Sequence, residues 1–290
     1  MIRAIFFDID GTLLASSAKT LLSTRKAISK ARRQGILVGI ATGRGPVHLD
    51  EQIDHIRLDA FVTYNGQLVY TNRDIIYSHP FSQETLQKLV EYADSHQRQL
   101  LFESANHMEG SGIVELSQKK WPKRFFHLIP KNLPVARINQ GLRLLKKIKK
   151  PEPYENLPIL KDLIYQVVML SPMNEMPRLK ALFPRCHFTR SNIITVDIIP
   201  SGGSKMIGIK KVCKHFDIPL EDVMAFGDSW NDIEMLSGVG IGIAMENSPE
   251  EVKAAADYVT ASNDHDGISK AFEHFGIITP TDLLEGESRE

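Results

Sequence analysis

Cysteine is almost absent from this chain: Cys186 and Cys213 are the whole supply, and neither stands in a C-x-x-C pair or a His/Cys cluster. That excludes a thiolate zinc site and reads as two free thiols in a reducing compartment, the cytoplasm. An excess of either charge is missing too. With 35 basic residues against 35 acidic ones, no global field draws nucleic acid or an anionic membrane, so any anion has to be bound locally. No hydrophobic run is long enough to span a bilayer, and the opening run Ile2 to Phe7 meets Asp8 too soon for a secretory leader. Repeats and low-complexity segments are also lacking. What remains is an ordinary globular composition, 42% hydrophobic and 24% charged, over 290 residues, enough for two domains with an ample core.

The chain is organised around Ala4-Ile5-Phe6-Phe7-Asp8-Ile9-Asp10-Gly11-Thr12, an apolar strand that runs into two acids and a glycine turn. Alternation along an extended chain puts Asp8 and Asp10 on one face, about 6 to 7 Å apart, near enough to share a divalent cation. Crowded carboxylates repel and shift upward in pKa unless a cation or lysine neutralises them. The same pair also fits a strand end whose acids merely cap the next turn. The distinction has to come from the rest of the chain.

Ser23 is expected to cap a helix that stops at Gly35, and Ile36 to Ala41 reads as a second buried parallel strand ending in Thr42-Gly43-Arg44-Gly45. A helix around Val47 to Ile56 and a strand Ala60 to Tyr64 follow. This β-α-β-α-β opening predicts a doubly wound sheet with right-handed crossovers, and the run Gln67 to Ser78 a hairpin. Residues 81–190 change character: a Ser82-capped helix, a strand at 99–103, a basic helical stretch at 142–150, a strand at 163–170 and a helix at 173–183 predict an inserted α+β module. The core, residues 1–80 and 191–290, is expected to resume with a strand at 195–199 and a Ser204-capped helix. A strand at 223–226 then ends in Gly227-Asp228-Ser229-Trp230-Asn231-Asp232, and strands at 241–245 and 258–260 complete the alternation.

Four strand ends or helix starts thus carry Asp8 and Asp10, Thr42, Lys205, and Asp228 with Asn231 and Asp232. In an open α/β sheet such ends converge on one crevice. A lysine in the first turn of a helix opposes the macrodipole and makes more sense facing bound anions. Asp228 and Asp232 share a helical face directly after a buried strand.

These motifs, in this order, resemble the haloacid dehalogenase-like hydrolases, specifically the Cof-type phosphatases with a large inserted cap. The resemblance implies a Rossmann-like core, the 81–190 module as a cap that sets specificity, and a Mg2+-dependent phosphatase acting on a small phosphorylated metabolite. It implies Asp8 as the nucleophile that forms an aspartyl-phosphate, and Asp10 as general acid and base. It further implies Mg2+ on Asp8, the Asp10 carbonyl and Asp228, phosphoryl contacts from Thr42, the Gly43 N–H, Lys205 and Asn231, and a supporting role behind them for Asp232. Sugar phosphates, with related flavin or pyridoxal phosphates, are the implied substrate class. Met206 and Trp230 depart from the family pattern without removing a catalytic group.

A phosphomutase using the same intermediate, and a phosphometabolite-binding regulator that keeps the fold, are the rival readings. Arg143, Lys146, Lys147, Lys149 and Lys150 read as a solvated helix face, and Trp121, Phe125 and Phe126 as packing. The sequence carries nothing on oligomeric state or on which metabolite is bound.

Overall fold

The computed structural model describes residues 1–112, 114, 153–190 and 195–283. The chain forms two compact units, Met1–Ser78 with Gly203–Glu290, and His79–Gly202. The first unit opens with β1 (Ala4–Phe7), β2 (Leu37–Ala41), β3 (Ala60–Thr63), β4 (Leu68–Thr71) and β5 (Ile75–Ser78). The second unit holds β6 (Leu100–Ser104), β7 (Met108–Gly110), β8 (Ile164–Leu170), β9 (Cys186–Thr189) and β10 (Thr195–Pro200). The chain then returns to the first unit with β11 (Val223–Gly227), β12 (Ile241–Met245) and β13 (Tyr258–Thr260).

The first unit is an eight-stranded sheet in the order β13-β12-β11-β1-β2-β3-β4-β5. Strands β13 to β3 along that order are parallel, and β4 and β5 turn back antiparallel at the edge. β1 is buried on both faces because both faces are covered, which is why it is apolar throughout rather than alternating. Ile5 and Phe7 join a core with Ala27, Ile28 and Ala31 of the helix Leu22–Arg33 and Phe272 of the helix Gly267–His274. Ala4 and Phe6 join the opposite core with Ile209 and Val212 of the helix Lys205–His215 and Met235 and Leu236 of the helix Ile233–Gly238. From β1 the chain first builds outward to β2 and β3, then adds β11, β12 and β13 on the other side. The sheet therefore reverses between β1 and β11, the point beyond whose carboxyl ends open α/β sheets bind their ligands.

The second unit is a five-stranded sheet, β7-β6-β8-β10-β9, its described pairings antiparallel. The helix Gln83–Ser95 contributes Leu86, Leu89, Val90 and Ala93 to a core with Phe102, Val167, Met169, Val196 and Ile198. Ser82 caps that helix, its hydroxyl accepting from the Thr85 N–H at 3.3 Å.

Several sequence expectations are corrected. Thr195–Pro200 is a strand, yet it pairs with β8 and β9 in the second sheet instead of resuming the first, so the chain re-enters the first unit at Gly203 rather than at 191. Ser23 lies inside its helix, which starts at Leu22, and its hydroxyl is spent on Asp266 Oδ1 at 2.5 Å. The helix expected over 47–56 is one turn, Leu49–Gln52, bounded by left-handed backbone at His48, Asp54 and His55. The basic stretch 142–150 and Trp121, Phe125 and Phe126 lie outside the described residues. Among the described residues, no helix is long and apolar enough to cross a membrane.

Candidate active site

β1 delivers Asp8 to the reversal point of the sheet, where only 6% of the residue stays exposed. Lys205, the first residue of its helix, is 1% exposed and reaches the same spot, donating to Asp8 Oδ1 at 2.5 Å and to Asp232 Oδ1 at 2.6 Å. Ser204 caps that helix through the Ile207 N–H at 3.2 Å, so the cap fixes where the lysine starts. Burial alone pulls the lysine's pKa down, but Asp232 and Asp8 override it and raise the ammonium above its ordinary value.

One lysine does not balance the acids around it. Asp8, Asp228 and Asp232 each present a carboxylate oxygen, and the three oxygens lie within 4.8 Å of one another. Burial drives the Asp8 pKa well above its ordinary range; Lys205 opposes this, and Asp232, Asp228 and Asp10 add to it. Burial, then Asp232, likewise push Asp228 up to about 6. The cluster stores electrostatic repulsion that a cation would relieve.

The three acids are not equivalent. Asp232 spends Oδ1 on Lys205, and its Oδ2 accepts from the Asp228 N–H at 3.0 Å and the Ser229 N–H at 2.9 Å, a capping box with Ser229. It positions the lysine and the turn. Asp228 Oδ1 accepts from the Thr12 hydroxyl at 3.0 Å. Among the described residues Asp8 Oδ2 and Asp228 Oδ2 accept no hydrogen bond, so these two oxygens remain for a ligand. Gly11 makes the approach possible: its φ is +85°, and a Cβ there would stand 2.3 Å from Asp228 Oδ2.

The other expected residues form a second shelf. The Asp10 side chain is turned toward Arg44, whose Nε donates to Oδ2 at 2.8 Å and whose Nη2 pairs with Oδ1, while Arg44 Nη1 reaches Gln52 Oε1 at 2.8 Å. Thr42 is buried at the end of β2, and its hydroxyl accepts from the Arg44 N–H at 3.1 Å. The Gly43 N–H donates to nothing among the described residues. Asn231 donates from Nδ2 to Asn65 Oδ1 at 3.3 Å.

Sequence reasoning passed over three residues here. Arg44 sat in a quoted motif, but an arginine after a glycine usually marks a solvated turn. Asn65, just before the run expected to form a hairpin, carries no motif signal of its own. Asn247, which donates to the Gly11 carbonyl at 2.9 Å, follows a strand as any surface asparagine does.

A family profile described as haloacid dehalogenase-like hydrolase matches residues 5–272. The chain is similar to the YkrA protein of Bacillus subtilis (strain 168), 31% identical over 281 residues, 95% of this chain and 98% of the relative. It is also similar to 5-amino-6-(5-phospho-D-ribitylamino)uracil phosphatase YcsE of the same organism, 26% identical and covering 94% of this chain and 96% of that one. Among solved structures, the HAD subclass IIB sugar phosphatase BT4131 superposes with a TM-score of 0.73 at 30% identity, covering 95% of this chain and 100% of the other. A buried aspartate at the end of β1 where the sheet reverses, a buried lysine between two acids and full-length similarity agree: the chain belongs to the haloacid dehalogenase-like hydrolases, as a Cof-type member of the phosphatase branch.

Proposed function

We propose that the protein is a Mg2+-dependent phosphatase that hydrolyses a small phosphorylated metabolite, a sugar phosphate or a related flavin or pyridoxal phosphate, through an aspartyl-phosphate on Asp8. The observation that carries this reading is the buried Asp8 carboxylate held at 2.5 Å by Lys205, with its second oxygen left without a donor among the described residues. An ionised carboxylate attacks phosphorus without a base, provided the charge of the phosphoryl oxygens is neutralised. Lys205, the Thr42 hydroxyl, the Gly43 N–H and Asn231 are the groups assigned to that neutralisation. The P–O bond to the leaving group breaks as the Asp8 oxygen bonds to phosphorus, and Asp10 gives its proton to the departing alkoxide. Asp10 then takes a proton from the water that attacks the aspartyl-phosphate, releasing inorganic phosphate and restoring Asp8. Arg44 holds both Asp10 oxygens in this structure, and that pair has to open before Asp10 carries the proton it delivers.

An all-oxygen donor set suits a hard cation, and the unshared oxygens of Asp8 and Asp228, with the Asp10 carbonyl, are the groups that would hold it. When bound, Mg2+ supplies positive charge against the phosphoryl oxygens and keeps both aspartates ionised. The His79–Gly202 unit is assigned to substrate choice, and the cytoplasm is the proposed location. The substrate class draws support from relatives named for a phosphoribityl compound and for sugars.

The test is phosphate release from a panel of sugar, nucleotide, flavin and pyridoxal phosphates, with Mg2+ or chelator, beside Asp8→Asn. Release by the wild type alone, lost on chelation, is expected. Transfer of the phosphoryl group back to substrate with no free phosphate would make the protein a mutase instead.

A further inference from the structure

β3 leaves Thr63 through three consecutive residues with positive φ: Tyr64 at 52°, Asn65 at 51° and Gly66 at 87°. Glycine adopts this region freely; a buried tyrosine and an asparagine do so only where the surroundings hold them. The surroundings here are close. A Cβ on Gly45 would stand 2.1 Å from the Tyr64 hydroxyl, and one on Gly66 would stand 2.1 Å from the Ser204 carbonyl. The turn also ties β3 to the loop after β2, through the Tyr64 N–H on the Arg44 carbonyl at 3.0 Å and the Asn65 N–H on the Thr42 carbonyl at 2.9 Å.

Those backbone bonds need no side chain at 65. Glycine would make them with less strain, so the asparagine amide needs its own explanation. Asn65 is only 6% exposed, and its Oδ1 accepts from Asn231. Its Nδ2 donates to nothing among the described residues. That nitrogen lies 3.2 Å from where a Cβ on Gly43 would be, so the bare glycine leaves room beside it. The unused Gly43 N–H belongs to the same turn. Two unspent donors beside the end of β2, with no acceptor among the described residues, fit an anion.

We propose that Asn65 is a phosphoryl-binding residue of the active site: its Nδ2 donates to a phosphoryl oxygen held at the Thr42–Gly43 turn, while its Oδ1 orients Asn231 toward the same group. The strained turn from Tyr64 to Gly66 exists to present this amide. The inference rests on the phosphatase reading for its substrate and adds a ligand that reading did not contain.

Asn65→Gly and Asn65→Asp are compared with the wild type in phosphate release, in binding of inorganic phosphate by calorimetry, and in melting temperature. Glycine suits φ 51° and removes the amide; aspartate tolerates the same backbone and replaces the donor by a negative charge. The expected result for Asn65→Gly is an unchanged or higher melting temperature with kcat/KM and phosphate affinity lowered about 10- to 100-fold, the range of one hydrogen bond to a charged group. Asn65→Asp is expected to lose more of both. Activity and phosphate affinity at the wild-type level in Asn65→Gly would overturn the proposal. So would a fall in melting temperature with phosphate affinity unchanged, which marks a purely structural asparagine. Failure of the wild type to release phosphate from any ester tells against the phosphatase reading, and the phosphate-binding comparison still decides the role of Asn65.

Discussion

Asn247 donates its side-chain amide to the Gly11 carbonyl, 2.9 Å away in space and 236 residues away in the chain. The Asn263 N–H in turn holds Asn247 Oδ1 at 3.2 Å, Asn263 Nδ2 grips the Leu14 carbonyl at 2.7 Å, and Asp264 takes the Ser16 N–H at 2.7 Å. The loop that follows Asp8 is thus clamped from the exits of β12 and β13. Asn247→Ala is expected to cost about 1 kcal/mol of stability, the net worth of such a bond, and to lower kcat severalfold with KM little changed. Chemical denaturation and steady-state kinetics check both. An equal rise in KM would show that Asn247 touches substrate instead.

Lys205 stands between Asp8 and Asp232 with all three buried. Lys205→Met leaves two carboxylates without their partner, for which broken buried pairs cost about 3 to 5 kcal/mol. The variant is expected to lose that much in a urea titration and to release no phosphate. Retention of stability would mean that the acids take up protons at little cost.

Asp228, held near pKa 6 against an ordinary 3.8, gives the metal-free protein a definite pH dependence. Between those values the folded chain keeps a proton that the unfolded chain has lost. Stability is therefore full below about pH 4 and falls as pH rises through 6, by about 3 kcal/mol from this group, in the same direction as Asp8. Mg2+ should reverse the loss: its stabilising effect, read as a shift in melting temperature, is expected to be small at pH 5 and larger at pH 7. Asp228→Asn should flatten both trends.

Gly11→Ala sets a left-handed backbone against an L side chain and drives a methyl to 2.3 Å from Asp228 Oδ2. We expect Asp228 to be displaced, with phosphate release down more than tenfold and the Mg2+ needed for half-maximal activity raised. A metal titration of the variant measures this.

Much of the core was legible because its pattern is local. Continuous apolar strands that end in acids, and a lysine opening a capped helix, announce themselves in short windows, so Asp8, Lys205, Asp228 and Asp232 stand out in the sequence, and the structure places them side by side. What was missed depends on partners far off in sequence. Thr195–Pro200 has the same apolar run whichever sheet it joins, and its pairing with β8 decided the matter. Ser23 looked like a cap until Asp266, 243 residues on, claimed its hydroxyl. Arg44 and Asn65 gain meaning only from Asp10 and Asn231.

Placing β1 between β2 and β11 also has a consequence for how the protein is born. The ribosome finishes Asp8 197 positions before the lysine that pairs with it, and the β11 side of β1 stays unpaired until the last third of the chain appears. A nascent or prematurely terminated chain carries Asp8 without Lys205, Asp228 or Asp232, so it offers a carboxylate but no assembled centre. Only when synthesis has passed the closing strands does the chain hold all four of these side chains in one place.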